Sequence, residues 1–344
     1  MRPASAAPST VPIYRDYTAT AAMTGIVPAG LACDVSFIGD DSAAPEALVA
    51  RQIERLKSPR AAALMWDIFD RLRAEYDGGA FVPHPSWVLT RIRHALSAAG
   101  LELPAQQTEA LFRFFDQVNV VLFQHQTLSW VAEAQLKLNL FGAGWEQHPY
   151  FGKYACGPIE SDAMRVAVYR ASRINLQAGP YGAINPRLVE GIIAGGFFLM
   201  RFAPADLLER FFPPILDFCQ QCNITTGEQL LEEATPGVRL LMEFAARTIG
   251  VDLATAFPNL VFHLRESADA GYTRSAAAVW PQYPAVSFAS KDELIGRVGR
   301  YLYDVPERRK VAEEMRRQLV GRFNHVRVNR QLLEAPVTRA EVAA

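Results

Sequence analysis

The sequence has little cysteine, almost no net charge and no long apolar run, and each of these shortages excludes a class of protein. The 344 residues include four cysteines, too few and too scattered for a disulfide scaffold. The formal net charge is −1 and the arginines form no basic stripe, so we expect no nucleic-acid partner. The longest strongly apolar run, "GIIAGGFFLM" (191–200), lies between Glu190 and Arg201 and is too short to span a bilayer.

The first residues, "MRPASAAPSTVP" (1–12), are rich in small residues and proline. They lack the apolar centre of a secretion signal. We therefore predict a flexible tail over residues 1–30, a second tail over 336–344 and a cytoplasmic location. Half of all residues are apolar, which is enough for a substantial core between these tails.

Strand-like and helix-like segments alternate along much of the chain and predict its fold class. The helical segments include residues 160–172, a helix from Pro186, and residues 291–304 and 305–323. This alternation, with short glycine turns, predicts an α/β protein with a doubly wound, parallel, Rossmann-like sheet. The predicted strands are "CDVSFIGDD" (33–41), "LKLNLFGAG" (136–144), "RINLQA" (173–178), "FFLMRF" (197–202) and "AVSFAS" (285–290).

Two mainly helical stretches interrupt the alternation. Apolar residues recur at helical spacing over 62–76, 86–100 and 108–134, and again within 237–250. We find no internal repeat. The sequence therefore predicts one domain over residues 31–335, with helical insertions at about 42–126 and 213–284.

The segment "RINLQAGPYGAINPRLVEGIIAGGFFLMR" (173–201) predicts a strand, a glycine loop, a helix and a second strand. Asn185 is a favoured N-cap residue, and Pro186 falls at the first helical position, where its missing N–H costs nothing. The helix is expected to end near Ala194, because Gly195 and Gly196 permit the turn into the next strand. The loop before the helix would then lie beyond the carboxyl end of its strand.

Ligands of open parallel sheets bind at that edge, and a helix N-terminus there offers unpaired N–H groups to a phosphate. Arg187, in the first turn, would add a forked cation. Glu190, about one turn into an otherwise apolar helix, suits a carboxylate that accepts hydrogen bonds from two ribose hydroxyls. The alternative is an ordinary strand–helix–strand crossover in which Glu190 stabilises its own helix dipole.

This segment resembles the C-terminal, donor-binding domain of GT-B glycosyltransferases, especially the CgeB-like branch. Members of that branch combine an asparagine, an arginine and a glutamate on this helix, followed by Gly-Gly and a strand. The resemblance covers most of residues 33–41, 127–212 and 285–334. It implies a protein that binds a nucleotide-diphosphate sugar and transfers the sugar, as a hexosyltransferase does, to an unknown acceptor. It implies no cofactor and no obligatory metal.

The resemblance also implies roles for single residues. Glu190 matches the glutamate that binds the ribose, while Asn185 and Arg187 would face the diphosphate or the sugar. Catalysis by Arg187 and Glu190 would be chiefly electrostatic, because the leaving diphosphate must be neutralised. The other expected nucleotide-sugar contacts are Gly39 after the first strand, a glycine turn with Gly142, Gly144 and Trp145, a base-reading loop with Gly157, Pro158 and Ile159, and Tyr181 and Gly182 before the helix.

Three features depart from the family pattern. The loop after the first strand, "DDSAAPE", is acidic where relatives often carry Arg or Lys. Position 182 is glycine where many retaining enzymes have a second glutamate. The resemblance includes no N-terminal acceptor-binding domain, and only about 30 residues precede the first strand.

These departures leave three interpretations open. In the first, the helical insertions or a partner chain supply the acceptor site, and a homo-oligomer is the other assembly expected. Alternatively, the chain is a non-catalytic, degenerate glycosyltransferase domain that acts as a scaffold or subunit. A third interpretation is an unrelated nucleotide-binding enzyme on a flavodoxin-like sheet, although the sequence has no Gly-x-Gly-x-x-Gly or Walker loop.

Few other residues indicate chemistry. His148 follows the glycine turn near the expected cleft and is a candidate substrate contact. His125 lies on an apolar helix and is interpreted as a hydrogen-bonded core residue. Cys219 and Cys222 are interpreted as two small helical side chains rather than a metal or redox pair, because no second pair and no histidine cluster accompany them.

Overall fold

The computed structural model of the chain describes residues 29–40, 42–78, 85–203, 205–249 and 276–322. The predicted C-terminal tail, nearly all of the predicted N-terminal tail and part of the second predicted insertion lie outside these ranges. The strands are β1 (Cys33–Ile38), β2 (Leu138–Phe141), β3 (Ser172–Gln177), β4 (Phe198–Arg201) and β5 (Ser287–Phe288).

The sheet is fully parallel, with the strand order β2-β1-β3-β4-β5. This confirms the predicted α/β fold with a Rossmann-like sheet. Residues 155–157 add a short parallel extension outside β2, where the Cys156 N–H donates to the Leu140 carbonyl at 2.8 Å. The extension occupies the place of the third strand in a 3-2-1-4-5-6 sheet.

Helices surround this sheet and form most of the described residues in both stretches for which insertions were predicted. Four of them, α1 (Pro45–Leu56), α2 (Pro59–Asp77), α3 (Pro85–Ala98) and α4 (Ala105–Glu133), lie between β1 and β2. The next two are α5 (Asp162–Ala171), before β3, and α6 (Pro186–Ile193), between β3 and β4. The remaining helices are α7 (Ala205–Gln221), α8 (Gly227–Glu233), α9 (Pro236–Ile249), α10 (Ala276–Val279), α11 (Tyr283–Val286), α12 (Lys291–Tyr303) and α13 (Val305–Arg322), with 3-10 turns at Ala29–Leu31, Trp145–Gln147 and Gly152–Tyr154.

Local sequence determines where several helices begin. Pro186 stands at the first turn of α6, and the Asn185 side chain accepts the Leu188 N–H at 2.9 Å, which confirms the predicted N-cap. Hydroxyl side chains cap other helices by the same bond to the third helical N–H. These caps are Ser58 for α2, Ser161 for α5, Thr226 for α8 and Ser290 for α12.

The two faces of the sheet follow from side-chain parity along β4. Phe198 packs against Tyr169 of α5, whereas Arg201, three residues later, contacts α4. Because successive strand side chains alternate between faces, α4 and α5 cover opposite sides. One apolar core runs through both layers and includes Val35 and Leu199 of the sheet together with Ile68 of α2.

One predicted strand was largely wrong. Residues 285–290 were predicted to be extended, but Tyr283–Val286 form a helical turn and β5 is only two residues long. Pro284 sits in the first turn of that short helix, where proline is tolerated. None of the helices in the described part of the chain has the length and apolar character needed to cross a lipid bilayer.

Candidate functional site

The strand order reverses between β1 and β3, and the carboxyl ends of these two strands define the candidate site. From β1 the chain continues to β2 on one side, whereas β3, β4 and β5 follow on the other. Crevices at such switch points are where open α/β sheets bind ligands. The residues around this crevice come from the segments that follow β1, β2 and β3.

The loop between β3 and α6, residues 178–185, brings the start of α6 to this crevice. Gly182 has φ +116°, in the left-handed region that favours glycine. Pro186 has no N–H, and the Leu188 N–H is taken by the cap. The backbone hydrogen bonds of the described residues leave the Arg187 N–H as the free amide of this turn. The helix start therefore offers one backbone donor, not a cluster.

Arg187 spans the crevice. Its Nη1 donates to the carbonyl of Ile38, the last residue of β1, at 3.2 Å, and its Nη2 pairs with the Asp40 carboxylate at 3.2 Å. The side chains of Arg187 and Asp40 are 49% and 66% exposed. An ion pair this exposed contributes roughly 0–1 kcal/mol, so an incoming anion competes with Asp40 at little cost.

Glu190 faces α5 instead of solvent. The residue is 6% exposed, and its Oε1 accepts a hydrogen bond from Arg165 Nε at 3.1 Å. Arg165 also pairs with Asp162 at the start of α5. The partner of Glu190 is thus a neighbouring helix, not its own helix terminus. Its role as a ribose ligand remains a prediction, and any ribose would share this carboxylate with Arg165.

The glycine turn after β2 packs directly against the segment after β1. A Cβ on Gly142, whose φ is +138°, would lie 2.0 Å from the Gly39 carbonyl oxygen. A Cβ on Gly144 would lie 2.4 Å from Ser42 Oγ. Trp145 is fully buried and donates from Nε1 to the Gly39 oxygen at 2.6 Å. These residues shape the wall of the site through Gly39, and the Trp145 ring does not reach its surface.

The predicted base-reading loop leaves the same edge of the sheet, farther from the crevice. Gly157 has φ +83°, and its carbonyl accepts the Gly142 N–H at 3.0 Å. Pro158 and Ile159 follow it towards α5, exposed and half-buried respectively. This loop lies beside β2, whereas Arg187 lies between β1 and β3.

Tyr181 turns away from the crevice towards α4. Its hydroxyl donates to the Asp116 carboxylate and accepts from Asn119 Nδ2 at 3.3 Å. Asn119 Oδ1 in turn accepts from the hydroxyl of Tyr76 on α2 at 2.7 Å. Burial raises the pKa of Asp116 to about 6, although the hydrogen bond from Tyr181 opposes the shift. Sequence reasoning missed this contact, because the apolar pattern of α4 gives no sign of a polar partner for Asp116.

Arg201, at the carboxyl end of β4, is a buried cation beneath α4. Its guanidinium donates to the Phe123 carbonyl at 2.7 Å, to Thr127 Oγ1 at 3.0 Å and to Gln126 Oε1 at 2.5 Å. It also lies over the rings of Phe123 and Trp130. Among the described residues no carboxylate pairs with it, and burial lowers its pKa to about 9.

A second carboxylate holds the loop from the other side. Asp206, at the start of α7, is fully buried and accepts the N–H of Ala183 at 3.0 Å and that of Ala203 at 3.2 Å. It also accepts from the hydroxyl of Tyr283 at 2.6 Å. Burial raises the pKa of Asp206 to about 6 against the lowering effect of these donors.

The histidine proposed as a substrate contact is held by hydrogen bonds within the protein. His148 Nδ1 accepts the N–H groups of Tyr150 and Phe151 at 3.1 and 3.0 Å, and burial lowers its pKa. His125 is buried with its ring centroid 5.0 Å from that of His148. An imidazole whose Nδ1 accepts two backbone hydrogen bonds is held as a neutral ring. Both histidines therefore contribute to the packing around Trp145.

The remaining candidates lie apart from the crevice. Cys219 is buried in α7 and Cys222 is exposed just beyond it. Within the described ranges, no three side chains of histidine, cysteine, aspartate or glutamate are grouped so that they could hold a metal ion.

The chain was compared with models of known families, with curated proteins and with solved structures, and none of the three comparisons returned a match.

Proposed function

We propose that the chain binds a nucleotide-diphosphate sugar at the crevice between β1 and β3 and transfers the sugar to an unknown acceptor. The observation that carries this proposal is the position of Arg187. It starts the helix at the switch point of a parallel sheet and reaches the end of β1 while remaining half exposed. The resemblance of residues 173–201 to GT-B donor domains supports the same ligand class.

The charges of the crevice suit a diphosphate. The Arg187 guanidinium offers a forked set of N–H donors, and the helix dipole of α6 adds a partial positive charge at the same point. A diphosphate arriving there replaces Asp40 as the partner of Arg187. The same contacts would stabilise the extra negative charge on a departing nucleoside diphosphate, which is the electrostatic contribution that a sugar transfer needs.

Calorimetric titration of the full chain with UDP, GDP and ADP tests binding. At least one of them is expected to bind, and Arg187→Ala should weaken it about 10- to 100-fold, the effect of losing a charge-assisted hydrogen bond of ~1.5–3 kcal/mol. The matched control is Arg173→Ala. Arg173 lies at the start of β3, pairs with Asp34 of β1 at 2.9 Å and is similarly exposed, but it belongs to the opposite edge of the sheet.

Two results would overturn the proposal. If none of the three nucleotides binds, or if Arg187→Ala and Arg173→Ala have equal effects, the crevice is not the nucleotide site. Glu190→Gln tests the ribose contact separately. If Glu190 contacts the hydroxyls, this variant should weaken binding of the ribonucleotide but leave binding of its 2′,3′-dideoxy analogue unchanged.

A second function, a non-catalytic scaffold or subunit derived from such a domain, is favoured by one observation. The two side chains expected to grip the donor already have partners in the chain, Asp40 for Arg187 and Arg165 for Glu190. A scaffold would bind none of the nucleotides, or would bind one without consuming its sugar conjugate. Incubation with UDP-, GDP- and ADP-hexoses, followed by chromatography of the released nucleotide, distinguishes the two functions.

A further inference from the structure

Both helical regions outside the sheet converge on the loop that opens the proposed site. Residues 178–185 contact α4 at one point and α7 at another, and each contact is made by a carboxylate, half-buried on α4 and fully buried on α7. Asp116 binds the Tyr181 hydroxyl, and Asp206 binds the Ala183 amide. Only Gly182 lies between the two residues that these carboxylates hold.

We propose that Asp116 and Asp206 form a proton-sensitive clamp on this loop, so that protonation tightens the mouth of the nucleotide site and ionisation loosens it. The role of the clamp at a nucleotide site rests on the proposed function. The contacts of the two carboxylates with the loop do not depend on that function. Asp116 and Asp206 act on the ligand only through the loop, and they are therefore positioning residues.

The groups that face Asp116 make its ionisation unfavourable. Around the carboxylate lie the Tyr181 hydroxyl from the loop, Asn119 on its own helix and, beyond Asn119, Tyr76 from α2. The nearest cation in this network is Arg201, which is linked through Gln126 to the Tyr76 carbonyl and does not touch Asp116. Burial thus dominates, and the pKa of Asp116 rises to about 6.

Asp206 is likewise held by neutral hydrogen-bond donors. It faces the Tyr283 hydroxyl of α11 and the amides of Ala183, Ala203 and Ala276. Burial also raises the pKa of both tyrosine hydroxyls, so Tyr181 and Tyr283 remain hydrogen-bond donors throughout the neutral range.

The sign of the pH dependence follows from linkage. When the loop opens, each carboxylate meets water and its pKa returns towards 3.8, whereas in the closed loop it is about 6. The closed form therefore binds protons more tightly than the open form. The stability of the closed loop relative to the open loop is therefore greatest below about pH 4 and declines as the pH rises through about 6. We expect opening to increase about tenfold between about pH 5 and pH 7.5 for each carboxylate that opening exposes.

Hydrogen exchange of the full chain, followed by mass spectrometry of peptides that cover residues 178–188, tests the clamp directly. The Ala183 amide is a built-in probe, because its N–H donates to Asp206. After correction for the intrinsic pH dependence of exchange, protection of this peptide should fall between about pH 5 and pH 7.5 in the wild type. Asp116→Asn retains an acceptor for Tyr181 but no titration, so the fall should be about tenfold smaller.

Glu109→Gln is the matched control, since Glu109 lies on the same helix but is exposed and paired with Arg113. Its loop should lose protection between about pH 5 and pH 7.5 to the same extent as in the wild type. Tyr181→Phe removes the donor and leaves the carboxylate, and it should raise exchange of the loop at both pH values. This variant also serves if Asp116→Asn does not fold. Protection that is independent of pH in the wild type, or an unchanged pH dependence in Asp116→Asn, overturns the clamp.

Nucleotide is left out of the exchange measurement, so the two proposals fail separately. If calorimetry finds no nucleotide but the exchange follows the expected pattern, the clamp stands and the proposed ligand is wrong. If a nucleotide binds and exchange is independent of pH, the ligand stands and the clamp is wrong.

Discussion

The amino ends of the parallel strands form one edge of the sheet and their carboxyl ends form the other. The two edges carry nearly the same ion pair in different surroundings. At the amino edge Arg173 of β3 pairs with Asp34 of β1 at 2.9 Å, and at the carboxyl edge Arg187 pairs with Asp40 at 3.2 Å. Both arginines are about half exposed. At the amino edge Asp34 also accepts the Lys137 N–H, so the pair ties three strand ends together. The ion pair alone therefore does not mark a site.

What differs is the backbone around each pair. The carboxyl edge has a helix start, glycines with positive φ at 142 and 182, and loops that pack on each other instead of continuing as strands. Such features place partial positive charge and adaptable backbone next to the arginine. Substitutions at the two edges are therefore expected to differ in kind as well as in size.

The largest effect is expected at Arg201, the buried arginine of the carboxyl edge. Arg201→Ala should destabilise the fold by about 3 kcal/mol or more, because it leaves a cavity under α4 and removes the donor from Gln126 and Thr127. Arg173→Ala, at the exposed amino edge, should change stability by less than ~1 kcal/mol. Urea denaturation followed by circular dichroism gives both free energies of unfolding. Equal losses would mean that burial does not distinguish the two arginines.

A smaller difference in the loss of stability is expected between alanine substitutions at two glycines with positive φ. Gly142→Ala should cost about 2–4 kcal/mol, because the new Cβ meets the Gly39 carbonyl at 2.0 Å in addition to the backbone strain. Gly195 precedes β4 at the amino edge and has φ +95°, and a Cβ added there would have no neighbouring atom within 4 Å. Gly195→Ala should therefore show the strain alone, about 1–2 kcal/mol. Thermal unfolding of both variants measures the contrast, and a Gly142→Ala variant as stable as Gly195→Ala would refute it.

Much of the fold could be predicted from local patterns, because they reflect local causes. Buried apolar runs bounded by glycine located β1, β3 and β4 to within a few residues, and Asn185 with Pro186 located the start of α6. The strand predicted over 285–290 was too long because Tyr283, at the start of the helical turn before β5, is held by Asp206, 77 residues earlier in the chain. An apolar segment does not reveal such a partner.

The contacts of the site were less predictable for the same reason. Glycines at 142 and 144 indicate close approach correctly, and in the structure the approaching atoms belong to the segment after β1. Asp116 meets Tyr181 across 65 residues, and the helical pattern around Asp116 gives no sign of that contact. Patterns thus located the edge of the sheet at which polar residues gather, while the pairing of those residues depends on how the helices pack.

The smallest expected difference between the two edges is in the effect of their aspartates on nucleotide affinity. Asp40→Asn should strengthen nucleotide binding by up to about fivefold, because Arg187 no longer has to leave an ion pair worth at most ~1 kcal/mol. Asp34→Asn removes the same charge from the other end of β1 and should leave the affinity unchanged, so any effect of net charge cancels in the comparison. Calorimetric titration at constant ionic strength measures both dissociation constants. Weaker binding in Asp40→Asn would give Asp40 a direct part in holding the ligand, and equal effects of the two variants would remove the reason to place the diphosphate at Arg187.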